Sequence, residues 1–234
     1  MNNNYNPESS ITPKTILVKT STYLIIVLSF LFLTLLVSFI FIYFNGAMDQ
    51  KVFLAIIPHI TDSRTQLMIF ITFFGNSMFL IPANLLLIVY FVLKKNRWLA
   101  VTVLSLALSS LGIMTLLKDI IKRNRPTGPL IQGITNFSLP SGHAIMSVTF
   151  YGLLIWMIAI NIANKWIKRI LISILTVLIL SICFSRIYLR VHYTTDVIAG
   201  FSIGLLWLII CLWIINRIEL RAIKKNNLRL VNKS

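Results

Sequence analysis

The chain has 234 residues, of which 57% are hydrophobic, and its mean hydropathy is +0.86. This composition leaves too little polar surface for a soluble domain and is typical of a membrane-embedded bundle. The 22 Lys and Arg residues outnumber six acidic residues, giving a formal net charge of +16. Because most of the cations lie between apolar stretches, they argue against a nucleic-acid-binding patch.

Six apolar stretches are long enough to cross a bilayer, since an α-helix of about 20 residues spans roughly 30 Å of hydrocarbon. We therefore predict an all-α fold, a bundle of six transmembrane helices. In chain order, the predicted spans cover residues 23–44, 67–93, 98–117, 143–160, 170–189 and 197–215. The second span is over-long and contains Gly75-Asn76-Ser77 and Pro82, so a kink or tilt is expected there.

The domain organisation follows from these spans. Residues 1–21 are polar and predict a flexible tail, residues 22–216 form one membrane domain, and residues 217–234 form a basic tail. The first span is expected to remain as an anchor, because it is too long for a signal-peptide core and lacks a small-residue cleavage pattern. Cys183 and Cys211 lie in apolar stretches and are interpreted as small buried hydrophobes.

The distribution of basic residues predicts the orientation. If six spans alternate, both tails and the basic loops at residues 94–97 and 165–169 fall on one side. By the positive-inside rule that side is cytoplasmic. The opposite, extracytoplasmic face then carries the loop at residues 49–64, the segment 118–143 and the short connection 189–196. The polar clusters described next all emerge on this face.

Two of these clusters suit a bound anion. Lys118 and Arg125 are about two helical turns apart, so both could start on one helical face, and Pro126 predicts that the chain leaves the helix there. Ser141 is a plausible cap of the next span, where backbone N–H groups near Gly142 form an anion site with His143 in the first turn. Taken alone, snorkelling cations and an ordinary helix cap are the safer interpretations.

The third cluster contains a potential nucleophile. His192 and Asp196 are one helical turn apart, so the carboxylate is expected to fix one imidazole nitrogen and leave the other facing outward. This is how a nucleophilic histidine is prepared. Arg186, at the outer end of the fifth span, can reach the same place. In isolation, however, a His-Asp pair can be only a helix cap.

Together the clusters read Lys-x6-Arg-Pro, Pro-Ser-Gly-His and Ser-Arg-x5-His-x3-Asp. This pattern over residues 118–196 resembles the type 2 phosphatidic acid phosphatase superfamily, whose membrane members hydrolyse lipid phosphates. The resemblance implies that His192 attacks phosphorus and forms a phosphohistidine, that Asp196 orients it, and that His143 protonates the leaving oxygen and then assists water. The phosphate-binding groups implied by the resemblance are Lys118, Arg125, Ser141, Gly142 and Arg186.

The resemblance also implies the partners. The substrate would be a membrane lipid phosphate: phosphatidic acid, phosphatidylglycerol phosphate, undecaprenyl pyrophosphate or a lipid A phosphate. The expected location is the bacterial cytoplasmic (inner) membrane, with the active site extracytoplasmic. No cofactor, metal or nucleic acid is expected, and the oligomeric state stays open.

Two other function classes fit these residues less well. An anion- or lipid-binding transporter without hydrolytic activity would also hold cations, but an anion path needs polar groups across the bilayer, whereas these clusters lie at one end. Vanadate-dependent oxidation uses a similar pocket, yet the lipid-facing context favours hydrolysis.

Overall fold

The structure, a computed structural model, describes residues 46–231, with side chains up to residue 222. The first predicted span, the N-terminal tail and the end of the C-terminal tail lie outside the described residues. The described part is helical, without strands. Its elements are α1 (Ala47–Ile56), a 3-10 turn (Ile57–His59), α2 (Asp62–Phe73), α3 (Ser77–Leu93), α4 (Arg97–Ile121), α5 (Gly142–Asn161), α6 (Lys165–Tyr188) and α7 (Thr194–Val231).

Five helical segments of the described part are long and apolar enough to cross a membrane. They are α2 with α3, α4, α5, α6 and the part of α7 up to Ala222, and they match five of the six predicted spans. The sixth, residues 23–44, stays a prediction. Two features were not expected. Most of α1 lies within the segment 49–64, which was predicted to be a loop. Helix α7 continues through residue 216, where the membrane domain was predicted to end.

The second predicted span is interrupted where the sequence indicated. Helix α2 ends at Phe73, and α3 begins at Ser77 with the Asn76 side chain accepting a hydrogen bond from the backbone of Met78. Between the helices, Gly75 packs so closely that a Cβ there would lie 2.6 Å from Ile182 Cγ2. The break between α2 and α3 therefore lets the backbone at Gly75 pack directly against α6. Pro82 lies within α3 and does not end it.

Helix α5 is the centre of the bundle and packs against α4, α6 and α7. Its contact with α7 is close because Gly200 and Gly204 face it. A Cβ at Gly200 would lie 2.7 Å from the carbonyl oxygen of Ser141, and one at Gly204 would lie 3.0 Å from that of Ile145. Small residues allow such backbone approach between membrane helices. The start of α5 is thereby fixed beside the start of α7.

The irregular segment between α4 and α5 is tied to the same end of the bundle. The backbone N–H of Leu130 donates to the carbonyl of Leu189, and that of Ser138 donates to the carbonyl of Arg123. Below it lies a small apolar core with Leu189 and Val191, which packs against Ile131. The segment thus folds back over the ends of α4 and α6.

Candidate active site

The two cations of the first motif meet through the irregular segment, not along one helical face. Lys118 lies in the last turn of α4, which ends at Ile121, whereas Arg125 lies beyond the helix. Lys118 Nζ donates to the Phe137 carbonyl at 2.5 Å, and Arg125 Nε donates to the Asn136 carbonyl at 2.7 Å. Both side chains also contact the Asn136 amide oxygen. The shared-face interpretation of this pair is therefore wrong, although its members do converge.

Arg125 lies directly against His192. One guanidinium nitrogen, Nη1, is 3.3 Å from His192 Nε2 and 2.5 Å from the Val191 carbonyl. Burial lowers the pKa of Arg125 from its ordinary value. Burial, together with the charges of Arg125 and Arg186, lowers the pKa of His192 to about 4, although Asp196 opposes the shift. His192 is therefore neutral at pH 7, with its Nε2 nitrogen facing a cation.

His192 and Asp196 do not share a helical face, as the spacing suggested. Helix α7 begins at Thr194, so His192 lies in the turn before it. The distance between His192 Nδ1 and Asp196 Oδ2 is 3.7 Å, which is too long for a hydrogen bond. Ser138 Oγ lies between them, 3.4 Å from Nδ1 and 2.5 Å from Oδ2. The turn and the irregular segment, not helical periodicity, bring the pair together.

These contacts select one tautomer of His192. The Ser138 hydroxyl donates to the Asp196 carboxylate, so its oxygen is free to accept from an Nδ1–H. On the other side of the ring, the Arg125 N–H can donate only if Nε2 carries a lone pair. Both contacts therefore favour the proton on Nδ1, which leaves Nε2 unprotonated.

Asp196 is fixed by further contacts. It lies in the first turn of α7, and its carboxylate accepts from the backbone N–H of Tyr193 at 2.9 Å, as acidic residues at this helix position do. Its other oxygen pairs with Arg123 Nη1 at 2.5 Å. Arg123 in turn pairs with Asp49 of α1 at 3.0 Å. The carboxylate of Asp196 is thus held on both sides.

The second motif supplies polar atoms without partners. Ser141 precedes α5 as expected, but its hydroxyl forms no cap hydrogen bond. Its backbone N–H instead donates to the Asp196 carbonyl at 3.0 Å, and Gly142 packs against Met114. Within the described residues, Ser141 Oγ and His143 Nε2 are buried without a hydrogen-bond partner. Buried polar groups normally have partners, so these atoms suit a ligand.

Arg186 completes the cation set. Its Nη1 donates to Thr72 at 2.8 Å, while its Nε is another buried nitrogen without a partner in the described part of the chain. His143 lies within electrostatic reach of four site residues. They are Arg186, His192, Arg125 and Lys118. All three predicted clusters therefore meet at one end of the bundle.

A cavity of about 430 Å³ lies beside this cluster and not between the imidazoles. Arg123 and Tyr193 line it together with Phe53 of α1, whose ring centroid lies 5.8 Å from that of Tyr193. It adjoins the site through Pro126, which follows Arg125 in the chain.

Several contact residues were not assigned to the site by the sequence, among them Asp49, Arg123, Asn136 and Ser138. Arg123 lies inside the first motif spacing, and Ser138 lies shortly before the second. Asp49 gave only a weak signal, as one of six acidic residues in a strongly basic chain. Nothing in the local pattern indicated that Asn136 is the common acceptor of two cations.

The sequence profile of the PAP2 superfamily matches residues 98–219, a range that contains every predicted site residue. The chain belongs to the PAP2 superfamily. The predicted resemblance is therefore confirmed, and the chain is a member of the membrane PAP2-type lipid phosphatases. Asp49 lies outside the matched residues.

Two curated relatives are similar over much of this PAP2 protein. Phosphatidylglycerophosphatase B of Bacillus subtilis is 30% identical over 146 residues, which cover 60% of this chain and 70% of the relative. The undecaprenyl-diphosphatase of Sulfolobus acidocaldarius is 28% identical over 193 residues, or 78% of this chain and 85% of the relative.

Two crystal structures have the same fold. The PAP2-type phosphatidylglycerolphosphate phosphatase from Bacillus subtilis has a TM-score of 0.74 at 24% identity, covering 82% of this chain and 96% of that one. Aquifex aeolicus LpxE has a TM-score of 0.53 at 20% identity, covering 70% and 93%.

Proposed function

We propose that this protein hydrolyses a phosphomonoester or diphosphate of a membrane lipid through a phosphohistidine on His192. One observation carries the proposal. His192 Nε2 lies 3.3 Å from the guanidinium of Arg125, a group suited to binding phosphate, while Ser138 and Asp196 occupy the Nδ1 side of the ring. A neutral imidazole in this tautomer has the lone pair that a nucleophile needs. Burial keeps it neutral by lowering its pKa to about 4.

The first step forms a bond between Nε2 of His192 and phosphorus while the bond from phosphorus to the lipid oxygen breaks. The electron pair of that bond stays on the leaving oxygen, which takes a proton from the imidazolium form of His143, a form that the bound phosphate anion stabilises. In the second step His143 removes a proton from water, the water oxygen attacks phosphorus, and the phosphorus–nitrogen bond breaks. The products are the dephosphorylated lipid and inorganic phosphate, and both histidines return to their starting states.

The phosphoryl oxygens would be held by fixed positive groups and N–H donors. Lys118 and Arg125 already donate to the same two acceptors, Asn136 Oδ1 and the Phe137 carbonyl. Arg186 and Ser141 have buried atoms without partners in the described part of the chain. Preorganised donors of this kind stabilise charge in the transition state of phosphoryl transfer. When the substrate binds, a phosphoryl oxygen would replace His192 Nε2 as the acceptor of the Arg125 N–H, and the lone pair of Nε2 would then be free to attack phosphorus. These cations supply the positive charge, so we expect turnover without an added divalent metal.

The substrate would keep its tails in the bilayer while its headgroup reaches the site. The basic loops at residues 94–97 and 165–169 support an extracytoplasmic site in the bacterial cytoplasmic membrane. The candidate lipids are phosphatidic acid, phosphatidylglycerol phosphate, undecaprenyl pyrophosphate and lipid A phosphate. The names of the two curated relatives support the second and third of these.

A phosphate-release panel over these four lipids, in detergent with and without a chelator, tests the proposal. We expect release from at least one lipid in the presence of chelator, inhibition by vanadate, and complete loss in His192→Ala. Ser110→Ala is the matched control, because Ser110 is also buried but its hydroxyl bonds only the Ala107 carbonyl of α4 and Met146 Sδ of α5, outside the site. Release by His192→Ala at the wild-type rate would reject the nucleophile, and no release from any lipid would favour transport.

Labelling with a membrane-impermeant maleimide tests the orientation in intact cells. Both native cysteines are buried, so an introduced cysteine would dominate the signal. Gln132→Cys, at an exposed position of the irregular segment, should react from outside, whereas Lys95→Cys, in a basic loop, should react only after the cells are opened. The reverse pattern would invert the proposed topology.

A further inference from the structure

A buried chain of charges leads from helix α1 to the catalytic carboxylate. Asp49 Oδ2 lies 3.0 Å from Arg123 Nη2, and Arg123 Nη1 lies 2.5 Å from Asp196 Oδ1. Asp49 is 1% exposed and Asp196 is fully buried, while the Arg123 side chain is 18% exposed. Two buried carboxylates therefore share one guanidinium, and each of its two terminal nitrogens pairs with a different carboxylate.

Arg123 is itself held in place by the residues around it. Its Cζ lies 4.0 Å from the ring centroid of Tyr193, the residue that follows His192. Its Nη1 also donates to Thr195 Oγ1 at 2.8 Å. In addition, its backbone carbonyl accepts from the N–H of Ser138 at 2.8 Å. Arg123 thus contacts Asp196 directly and also holds Ser138, which lies between Asp196 and His192.

Asp49 adds a second link, to the start of helix α7. Its Oδ1 accepts from the backbone N–H of Thr195 at 3.0 Å, and its Oδ2 accepts from the Thr195 hydroxyl at 2.8 Å. First-turn N–H groups have no partner within their own helix, and a carboxylate there is favourable. A residue of α1 therefore caps the helix that carries Asp196, from a position 146 residues away in the chain.

We propose that Asp49 and Arg123 are positioning residues for the reaction, which hold the Asp196 carboxylate and balance its charge so that His192 keeps its reactive tautomer. The inference rests on the proposed function, since it assigns these residues a role in preparing that nucleophile. Neither residue is placed against the phosphoryl group. They act through Asp196, and the loss of their side chains should therefore change kcat more than KM.

The shared ion pair predicts that the effects of substituting Arg123 and Asp49 on activity are not independent. Without Arg123, the buried carboxylates of Asp49 and Asp196 would both lose the guanidinium that they share, and removing one partner of a buried ion pair is strongly destabilising. Neutralising Asp49 as well would remove one of the two negative charges. The second substitution should then repair part of the damage that the first causes.

Steady-state phosphate release by Arg123→Gln, Asp49→Asn and the double variant measures this coupling. For Arg123→Gln we expect kcat to fall on the order of 100-fold with KM within about threefold, and for Asp49→Asn a fall of roughly tenfold. The double variant should be more active than Arg123→Gln alone. Activity equal to the product of the two single losses, or losses confined to KM, would overturn the inference.

Controls separate this role from a general loss of folding. Asp62→Asn with Arg64→Gln removes charges from exposed residues of α2, which follows α1 in the chain, and should leave activity unchanged. The inhibition constant for inorganic phosphate should stay within about threefold in Arg123→Lys and Asp49→Asn, because the phosphate-binding cations are intact. A lost phosphate affinity in both variants would show instead that the network only maintains the fold.

The two proposals fail in different ways. If the wild-type protein releases no phosphate from any lipid of the panel, the proposed function is wrong. If the wild-type protein is active and Arg123→Gln and Asp49→Asn are as active as the Asp62 and Arg64 control, only the positioning role is wrong.

Discussion

Replacing Ser138 by alanine tests how Asp196 acts on His192. The serine hydroxyl is fully buried, donates to Asp196 Oδ2 at 2.5 Å and lies 3.4 Å from His192 Nδ1. The two side chains that it joins are 3.7 Å apart. If the hydroxyl is the link between them, its removal should leave the imidazole without an acceptor on its Nδ1 side.

The expected magnitude follows from the kind of bond that is lost. A hydrogen bond to a charged group contributes about 1.5–3 kcal/mol. Each ~1.4 kcal/mol of transition-state stabilisation is a factor of about ten in rate. Ser138→Ala should therefore lower kcat/KM by about 10- to 100-fold, most of it in kcat, since the substrate contacts remain.

The assay is phosphate release from the best lipid of the panel in detergent, with the unfolding temperature measured in parallel. Ser110→Ala again serves as the control, because it removes a buried serine hydroxyl from α4 without touching the site. A loss of kcat/KM smaller than about threefold, with an unchanged unfolding temperature, would refute the link through the Ser138 hydroxyl. It would mean that the imidazole moves onto Asp196 and bonds it directly.

Three further outcomes are expected. The first-turnover rate of phosphoenzyme formation should stay level from pH 7 downwards and fall only near pH 4, because the lowered pKa keeps His192 neutral above that pH. A fall centred near the ordinary histidine pKa of 6.5 would contradict this. His143→Gln should slow turnover on a monophosphate but spare phosphoenzyme formation from a diphosphate, whose leaving group needs less protonation, as trapping of labelled enzyme would show. Gly200→Ala should cost about 1–3 kcal/mol of stability, because its Cβ would lie 2.7 Å from the Ser141 carbonyl. Gly112→Ala, with open space around it, should leave the unfolding temperature unchanged or raise it, and equal losses in both would refute the packing argument.

Much of the fold followed from composition and periodicity. Apolar stretches predicted five spans that the structure contains, because the length of a membrane helix is set by the thickness of the hydrocarbon. The break at Gly75-Asn76-Ser77 was also visible, since glycine and asparagine interrupt a helical pattern. Helix α1 was not predicted, because its ten residues are too few to cross a bilayer and the segment between two predicted spans was interpreted as a loop.

The candidate site was only partly visible. Lys118, Arg125, His143, Arg186 and His192 stand out because cations and imidazoles are costly in an apolar chain and need a functional reason. Their relative geometry was predicted less well. A helical spacing was assumed for two pairs, yet α4 ends at Ile121 and α7 starts at Thr194, so turns and not helix faces bring the partners together.

The sequence by itself determined which residues are candidates for the chemistry, because residue type fixes charge, hydrogen-bonding capacity and nucleophilicity. Only the tertiary structure decided how those groups are prepared for it. Arg123 finds its second carboxylate 74 residues away in the chain, and Ser138 reaches Asp196 across 58 residues. Pairing over such distances depends on how the helices pack and leaves no trace in a local pattern. Buried charge is stable only with a partner, so the packing of α1, α4 and α7 determines the charge balance around Asp196.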